Sequence, residues 1–235
     1  MAKYKIANFI TEFTPKYNTL KQLAKPFEYN GNDNPKIILE LSDEELDSIY
    51  KKMENDVTLE QAEEFAYASK FNRTIIQYNA MLVHSSAIVI NNQAYLFSAK
   101  SGVGKSTHTK LWQKAFGSDK VKIINDDKPV VRITDGNCIA YGTPFDGGSG
   151  IATNLSAPLK AIIFLERGEE NSIRKATTSE IIQNLYLSTI HFVSKDIADS
   201  MLVNFDNLIK CADFYILTCN TDVSAAYVAY DTLIK

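Results

Sequence analysis

The sequence predicts an α/β fold built on a mixed β-sheet, with a small α+β region at its N-terminus. Segments with strand and helix patterns interleave along the second part of the chain, without the strict alternation that builds an all-parallel sheet. With 235 residues, of which 45% are hydrophobic, the chain can bury a substantial core without metals or disulfides. We expect residues 1–80 to form the small region, packed on the core, and residues 81–235 to form the main domain.

The N-terminal region shows short strands followed by two helix signals. Residues 3–40 alternate short apolar runs with turn-forming residues, which is typical of strands joined by loops. Two capping boxes, each a Ser or Thr followed three residues later by Glu or Gln, predict helices over about 43–54 and 59–71. In the second helix, apolar or small residues at helical spacing are expected to pack in the core. They are Leu59, Ala62, Phe65, Ala66 and Ser69.

The main domain begins with a predicted hairpin, residues 81–90 and 94–100, that leads into a glycine-rich loop. A helix over 105–116 is predicted to end at Gly117. The remaining predictions are, in chain order, a strand over 120–125, a hairpin of 128–134 with 138–142, a loop over 142–150, a strand over 159–166, a helix over 178–190, a strand over 214–220 and a helix over 224–234.

Charge and composition argue against several kinds of partner. The net charge of −3 and the lack of a basic run give no attraction to nucleic acid. No stretch approaches about 18 consecutive apolar residues, so neither a membrane span nor a long signal sequence is predicted. The three cysteines, Cys138, Cys211 and Cys219, lack the spacing of metal or redox motifs and resemble buried thiols. These features favour a cytoplasmic protein.

The first motif that indicates a function is a candidate phosphate loop. Residues 99–107 have the sequence A-K-S-G-V-G-K-S-T. It matches the phosphate-binding pattern G-x-x-x-x-G-K-[ST], except that Ala99 stands at the first glycine. The strand predicted before it and the helix predicted after it supply the required context. The alternative is a glycine turn that merely starts a helix. The residues predicted to bind phosphate are Ser101, Gly102, Val103, Gly104, Lys105, Ser106 and Thr107.

Each residue type in this loop suits a triphosphate. Gly102 and Gly104 allow backbone conformations in which successive N–H groups point at the phosphates, and the start of the following helix adds positive potential. The ammonium of Lys105 is expected to contact the β- and γ-phosphates, and the hydroxyl of Ser106 to ligate Mg²⁺.

Two adjacent acids, Asp126 and Asp127, end the strand that follows the phosphate-loop helix. Such a strand can return beside the loop. Phosphoryl transfer to a hydroxyl needs one carboxylate to accept the proton and another to hold Mg²⁺, and two neighbouring carboxylates can divide these tasks. The alternative is a solvated Asp-Asp turn before Pro129.

In this order, the segments VHSSA, SGVGKST, NDDKP and GTPFDG resemble the catalytic domain of HPr kinase/phosphorylase, and more closely its HPr-kinase-related relatives within the PEP carboxykinase-like superfamily. The resemblance covers about residues 81–166. It implies a mixed-sheet P-loop fold, ATP and Mg²⁺ as cofactors, and phosphorylation of a serine-type hydroxyl. It also implies that Asp126 is the catalytic base and that Asp127 lies near the metal. His84 matches a histidine of the family and is expected to contact phosphate or acceptor.

The resemblance does not extend to the ends of the chain. Residues 1–80 do not match the family's usual N-terminal domain, and the segment that docks HPr has no counterpart. HPr itself is therefore not the expected substrate.

The segment 142–150 holds four of the ten glycines of the chain. This concentration predicts a mobile flap that closes over the γ-phosphate and the acceptor, with Phe145 and Asp146 touching the acceptor. A long connecting loop is the alternative. The predicted substrate-loop residues are Gly142, Thr143, Pro144, Phe145 and Asp146.

Further residues have less specific patterns. Trp112 is expected in the core, and His108 is as compatible with helix packing as with substrate contact. Arg132 and Arg167 are candidates for balancing charge in phosphoryl transfer, with surface ion pairs as the alternative. A structural role is predicted for His191.

The predicted function is an ATP- and Mg²⁺-dependent kinase that acts on a hydroxyl of a protein, peptide or small metabolite. Lys105, Asp126 and His84 are its predicted catalytic residues, and Ser106 and Asp127 its metal ligands. A nucleotide-binding sensor without a phosphoryl acceptor is the second hypothesis, and a carboxykinase-like enzyme is a third. The sequence leaves open the acceptor, the choice between ATP and GTP, and homo-oligomer formation.

Overall fold

The structure is a computed structural model that describes residues 2–53, 56–189 and 195–234. His191 and the last residue of the helix predicted over 178–190 lie outside these ranges. Two β-sheets organise the described chain, a three-stranded sheet in the N-terminal region and a nine-stranded mixed sheet in the main domain.

In the N-terminal sheet, β1 (Ala2–Ile6) and β2 (Phe9–Phe13) form an antiparallel hairpin, and β3 (Ile37–Ile38) pairs parallel with β2. Alternate residues of β2 are buried, because side chains along a strand point to opposite faces. A short helix, α1 (Asn18–Ala24), lies between β2 and β3. The pattern of strands and loops did not predict this helix.

The two helices predicted from capping boxes are confirmed. In α2 (Asp43–Tyr50), Ser42 Oγ accepts a hydrogen bond from the Glu45 N–H at 3.2 Å. In α3 (Leu59–Ile75), Thr58 and Gln61 form both bonds of the capping box. Compared with the predictions, α2 ends earlier and α3 continues further.

The prediction for the buried face of α3 is wrong at Phe65, whose side chain is 46% exposed. Ala62 and Ala66 are buried as expected. The large side chains that join this helix to the N-terminal core are instead Tyr67 and Phe71, so the buried face is rotated away from Phe65.

The main sheet has the strand order β4-β8-β9-β10-β6-β5-β7, with β12 paired to β10 and β11 paired to β12. Because β10 runs antiparallel to β9 but parallel to β6 and β12, the predicted mixed sheet is confirmed. The strands are β4 (Ala80–Leu82), β5 (Ser85–Ile90), β6 (Gln93–Ser98), β7 (Lys122–Asn125), β8 (Val130–Thr134), β9 (Asn137–Tyr141), β10 (Ser156–Arg167), β11 (Ser172–Lys175) and β12 (Asp213–Cys219).

The strand predicted over 81–90 is two strands, and this break positions His84. β4 pairs with β8, whereas β5 pairs with β6 and β7. Between them, the His84 N–H donates to the Ser188 carbonyl at 2.7 Å instead of to a strand. The apolar pattern of residues 81–90 did not indicate that the two halves pair with different strands.

The sheet topology brings the predicted site residues to one edge. β6 ends where β5 begins, with Ser98 opposite Ser85. β7 is also antiparallel to β5, so it runs in the direction of β6 and ends at the same edge. The phosphate loop, His84 and the two aspartates therefore meet there, as open α/β sheets bind ligands beyond the carboxyl ends of strands.

Helices cover both faces of the main sheet. α4 (Lys105–Phe116) and α7 (Ser224–Leu233) pack on one face, and α5 (Thr178–Leu187) and α6 (Lys195–Cys211) pack on the other. The sequence analysis did not identify α6. In the described ranges, no helix is long and apolar enough to cross a membrane.

A shared hydrophobic cluster joins the N-terminal region to the main sheet. Tyr4, Phe13 and Phe71 from the N-terminal region belong to the same buried cluster as Val130 of β8 and Phe145. The rings of Phe71 and Phe145 lie 5.9 Å apart.

The cysteines differ from the expectation of three buried thiols. Cys138 of β9 and Cys211 at the end of α6 form a disulfide, with their Cα atoms 5.9 Å apart. Because the two residues are 73 positions apart in the sequence, local spacing could not predict the pairing. Cys219 is a free thiol, and burial raises its pKa.

Candidate functional site

The phosphate loop connects the end of β6 to the start of α4. Gly102 (φ 76°) and Gly104 (φ 124°) have backbone conformations that L side chains rarely adopt. A Cβ at Gly102 would meet no atom within 4 Å. The backbone there is open to a ligand, as phosphate binding by main-chain N–H groups requires.

Lys105, the first residue of α4, is only 9% exposed. Burial lowers the pKa of its ammonium, and the negative charges of Asp127 and Asp126 offset this effect in part. At the start of α4, this ammonium lies where an anionic ligand of the loop would also meet the N-terminus of the helix.

His84 links Lys105 to Asp127. Its Nε2 atom lies 3.0 Å from Lys105 Nζ and 3.1 Å from Asp127 Oδ1. One ring nitrogen cannot accept a hydrogen bond from Lys105 and donate one to Asp127 at the same time. Both contacts nevertheless join the three side chains into one group, which we call the Lys105–His84–Asp127 cluster.

Asp127 is held as a carboxylate. Burial acts to raise its pKa, but the hydrogen bond with His84 and the charge of Lys128 outweigh burial and hold the pKa well below its usual range. The Lys128 ammonium pairs with Oδ2 of Asp127. Both carboxylate oxygens thus have a partner in this structure.

Asp126 points to a different set of groups. It is 6% exposed, and its Oδ1 accepts a hydrogen bond from Ser86 Oγ at 2.5 Å. Ser86 Oγ also lies 2.9 Å from Thr109 Oγ1, one turn into α4. Asp126 is therefore linked through Ser86 to α4, whereas Asp127 contacts His84.

Asn125 fixes the turn that carries both aspartates. Its Oδ1 accepts hydrogen bonds from the N–H groups of Asp127 (2.9 Å) and Lys128 (2.6 Å). Its Nδ2 donates to the carbonyls of Thr143 and Phe145, both at 3.1 Å. One buried amide thus holds the aspartate turn against the segment that begins at residue 142.

The segment predicted to form a flap, residues 142–150, is packed into the protein over its first five residues in this structure. All five residues are buried, and Phe145 is 0% exposed within the shared hydrophobic cluster, so it cannot touch an acceptor here. Asp146 turns its carboxylate to the N–H of Gly148 at 2.9 Å. Only the tip, residues 147–150, is exposed. The glycines of the tip form a turn, whereas residues 142–146 pack in the interior.

The two candidate arginines have different surroundings. From β8, Arg132 donates to the Ala7 carbonyl at 3.0 Å and stacks on the Phe9 ring. Its side chain therefore contacts the N-terminal region and not the site. Arg167 donates to the carbonyls of Gly102 and Val103, which ties the end of β10 to the phosphate loop.

Beside the phosphate loop lies a cavity of about 390 Å³. Its lining includes Val103 and Thr107 from the loop and α4, Arg167 from β10, and Asn220 and Thr221 from the end of β12. We call it the loop cavity.

His108 has a packing role. Trp112, fully buried as predicted, donates from Nε1 to His108 Nε2 at 3.0 Å. Burial lowers the pKa of His108 to about 4, so the ring is neutral at pH 7. Its Nδ1 is buried and has no hydrogen-bond partner among the described residues. Nothing in the structure explains this unpartnered atom.

Metal binding at this site would need ligands besides its own side chains. In the described part of the chain, no group of three or more His, Cys, Asp or Glu side chains is arranged to hold a metal ion. Magnesium usually binds through one or two carboxylates and the phosphates of a nucleotide. Ser106 and one of the two aspartates are the side chains here that suit this shared mode.

Sequence reasoning missed three polar residues that organise the site. They are Ser86, Asn125 and Glu64, whose Oε1 accepts a hydrogen bond from the Gly147 N–H at 2.8 Å. Glu64 is buried, and burial raises its pKa. A polar residue within an apolar strand was the available signal for Ser86 and Asn125. Glu64 gave none, because an acid on a helix usually faces solvent.

Comparisons with known proteins give a distant likeness. The HPr(Ser) kinase/phosphatase from Coxiella burnetii aligns with 65% of this chain and 95% of its own chain, at 9% identity and a TM-score of 0.37. No protein-family model matches the chain, and no curated protein matches it. At this identity and TM-score the likeness assigns no residue a role, and the family resemblance of the motifs stays a prediction.

Proposed function

We propose that this protein is an ATP- and Mg²⁺-dependent kinase that transfers the γ-phosphoryl group to a hydroxyl. The observation that carries the proposal is the Lys105–His84–Asp127 cluster, with contacts of 3.0 and 3.1 Å at the mouth of the phosphate loop. A lysine that holds the γ-phosphate and a carboxylate that receives a proton are the two side chains this reaction requires.

The nucleotide is placed by the loop. Main-chain N–H groups at Gly102–Gly104 and the Lys105 ammonium would hold the triphosphate. The loop cavity, next to Val103 and Thr107, offers room for the nucleoside.

We assign magnesium to Ser106 and Asp126. Asp126 is connected through Ser86 to Thr109, which lies three residues after Ser106 on α4. Bound magnesium supplies neutralisation of the phosphate oxygens. This assignment exchanges the roles that the motif resemblance implies for Asp126 and Asp127.

Asp127 is assigned to the acceptor. The acceptor oxygen forms a bond to the γ-phosphorus, the bond from that phosphorus to the β–γ bridging oxygen breaks, and ADP leaves. The acceptor proton passes to Asp127 Oδ2, where the hydroxyl replaces the Lys128 ammonium. His84 keeps its contact with Oδ1 and orients the carboxylate.

The test uses γ-labelled ATP with magnesium and a pool of metabolites and peptides. Wild-type protein should label an acceptor. Asp127→Asn should lose transfer by about 100-fold or more while its affinity for Mg-ATP changes little, and Asp126→Asn should raise the magnesium concentration needed. Absence of labelling by wild type, or full transfer by Asp127→Asn, would contradict the proposal.

A nucleotide-binding sensor is the second candidate. One observation favours it, namely that both oxygens of Asp127 already have partners in Lys128 and His84. A sensor would bind Mg-ATP, transfer no label, and keep its affinity for a partner protein in Asp127→Asn.

A further inference from the structure

A second cavity, of about 490 Å³, adjoins the Lys105–His84–Asp127 cluster. Its lining includes His84 and Lys128, the two residues that contact Asp127. We call it the α2–α3 cavity, because most of its other lining comes from the end of α2 and one face of α3.

The body of the α2–α3 cavity is apolar. Ile49, Met53, Phe65, Ala68 and Leu82 line it. Phe65 is the residue whose predicted burial failed, and its exposed ring faces this space. Together with the apolar lining, this ring forms a surface that an apolar ligand would remove from water.

The charged residues around this apolar body are all cationic. Lys52, Arg73 and Lys128 line the cavity, and its described lining contains no Asp or Glu. Lys52 and Arg73 form no ion pair with a described residue, and Lys128 pairs with Asp127 behind it. The cavity therefore favours an anionic group over a cationic or neutral one.

We propose that the α2–α3 cavity binds the phosphoryl acceptor, and that this acceptor is a small molecule with an apolar body, an anionic group and a hydroxyl. The hydroxyl, and the placing of the molecule as an acceptor, rest on the proposed function. The apolar body and the anionic group rest on the lining alone. The volume is within the range of about 300–1,000 Å³ typical of small-molecule sites.

Lys128 connects binding in this cavity to the chemistry. Its ammonium lies between Asp127 and the cavity, so an anion bound there attracts it away from Oδ2. Oδ2 then becomes available to accept the hydroxyl proton. The acceptor thereby removes the obstacle that favoured the sensor alternative.

Binding of three probes to the nucleotide-free protein tests the inference by calorimetry. The probes are 3-phenyllactate, its neutral methyl ester and phenylalaninol, which carry an anion, no charge and a cation beside the same ring and a hydroxyl. We expect phenyllactate to bind about tenfold more tightly than the other two. Equal affinity for the acid and the ester would overturn the proposed class.

Two pairs of variants locate the binding. Arg73→Gln should reduce the preference for the acid, since Lys52 and Lys128 remain in the lining, whereas Lys51→Gln removes the same charge from a residue outside the lining and should leave the preference unchanged. Phe65→Ser should weaken all three probes about fivefold. Tyr227→Ser, which removes an equally exposed ring (46%) from α7, should not. Equal effects within either pair would overturn the location.

These results separate the two proposals. Probe binding with the expected variant pattern but without phosphoryl transfer to any acceptor contradicts the proposed function and supports the cavity assignment. Transfer to an acceptor whose KM is unchanged in Phe65→Ser and Arg73→Gln contradicts the cavity assignment and supports the kinase.

Discussion

The phosphate loop and the aspartate turn lie side by side at one sheet edge, but they differ in burial and in the number of hydrogen bonds that fix them. The loop is largely exposed, and its internal hydrogen bond runs from the Val103 N–H to the Lys100 carbonyl at 3.2 Å. The aspartate turn is mostly buried, with four backbone groups bonded to the Asn125 amide. The turn is pre-organised by the protein, whereas the loop has fewer hydrogen bonds to the rest of the protein, and we expect a bound phosphate to order it further.

The largest effect is expected at Lys105, the point where the two regions meet. Lys105→Met removes the charge that we propose to hold the γ-phosphate and should lower kcat/KM by about 100- to 1,000-fold. Lys100→Met, in the same loop but exposed, is the matched control and should stay within about threefold of wild type. A similar loss in both variants would show that overall charge matters and not the position of Lys105.

The pH dependence of stability tests how the helix behind the loop is anchored. The pKa of His108 is about 4 in the fold and near 6.5 when unfolded, so the unfolded chain takes up a proton first as pH falls. The contribution of His108 to the free energy of unfolding is therefore at its full value above pH 6.5. It falls by roughly 3 kcal/mol as the pH is lowered to 4. His108→Gln keeps an acceptor for Trp112 and removes this loss.

Urea unfolding of both proteins at several pH values between 4 and 6.5 measures the effect. Glu63 and Glu64, whose pKa values are raised by burial, contribute with the opposite sign in both proteins, so the difference isolates His108. Parallel stability curves would contradict the neutral buried ring.

Removing the Asn125 amide should weaken the pre-organised region. Asn125→Ala leaves buried N–H and carbonyl groups without partners and should lower the free energy of unfolding by about 2 kcal/mol. Asn137→Ala, at the exposed start of β9, should cost less than about 0.5 kcal/mol. Chemical denaturation compares them, and equal costs would contradict the central role of Asn125.

The smallest effect distinguishes the loop from an ordinary turn. Gly102 (φ 76°) and Gly150 (φ 77°) have nearly the same φ and open surroundings. Changing either to Ala should cost about 1 kcal/mol of stability. Only Gly102→Ala should also weaken Mg-ATP binding, as measured by calorimetry. Equal nucleotide affinity in the two variants would argue against phosphate at this loop.

Local signals in the sequence predicted much of the fold. The capping residues Ser42 and Thr58 located two helices, and Gly117 ended α4 where expected. Helix α6 was predictable as well, since Met201, Phe205 and Leu208 have helical spacing and are buried.

Features that depend on distant pairing could not be predicted. The break at His84 exists because β4 and β5 have different partner strands. Phe145 is buried by a ring of α3 that lies far away in the sequence. Motif spacing indicated that Lys105 and Asp127 lie together, but the division of tasks that we propose for Asp126 and Asp127 rests on their partners Ser86 and His84.

Because one hydrophobic cluster joins Phe71 to Phe145 and Val130, we expect the main domain not to fold without the N-terminal region. A fragment that starts at residue 81 would expose the apolar side of β8 and lose the packing under the aspartate turn. Calorimetry of the full chain should therefore show a single melting transition, and the shorter fragment should aggregate instead of retaining an intact nucleotide site.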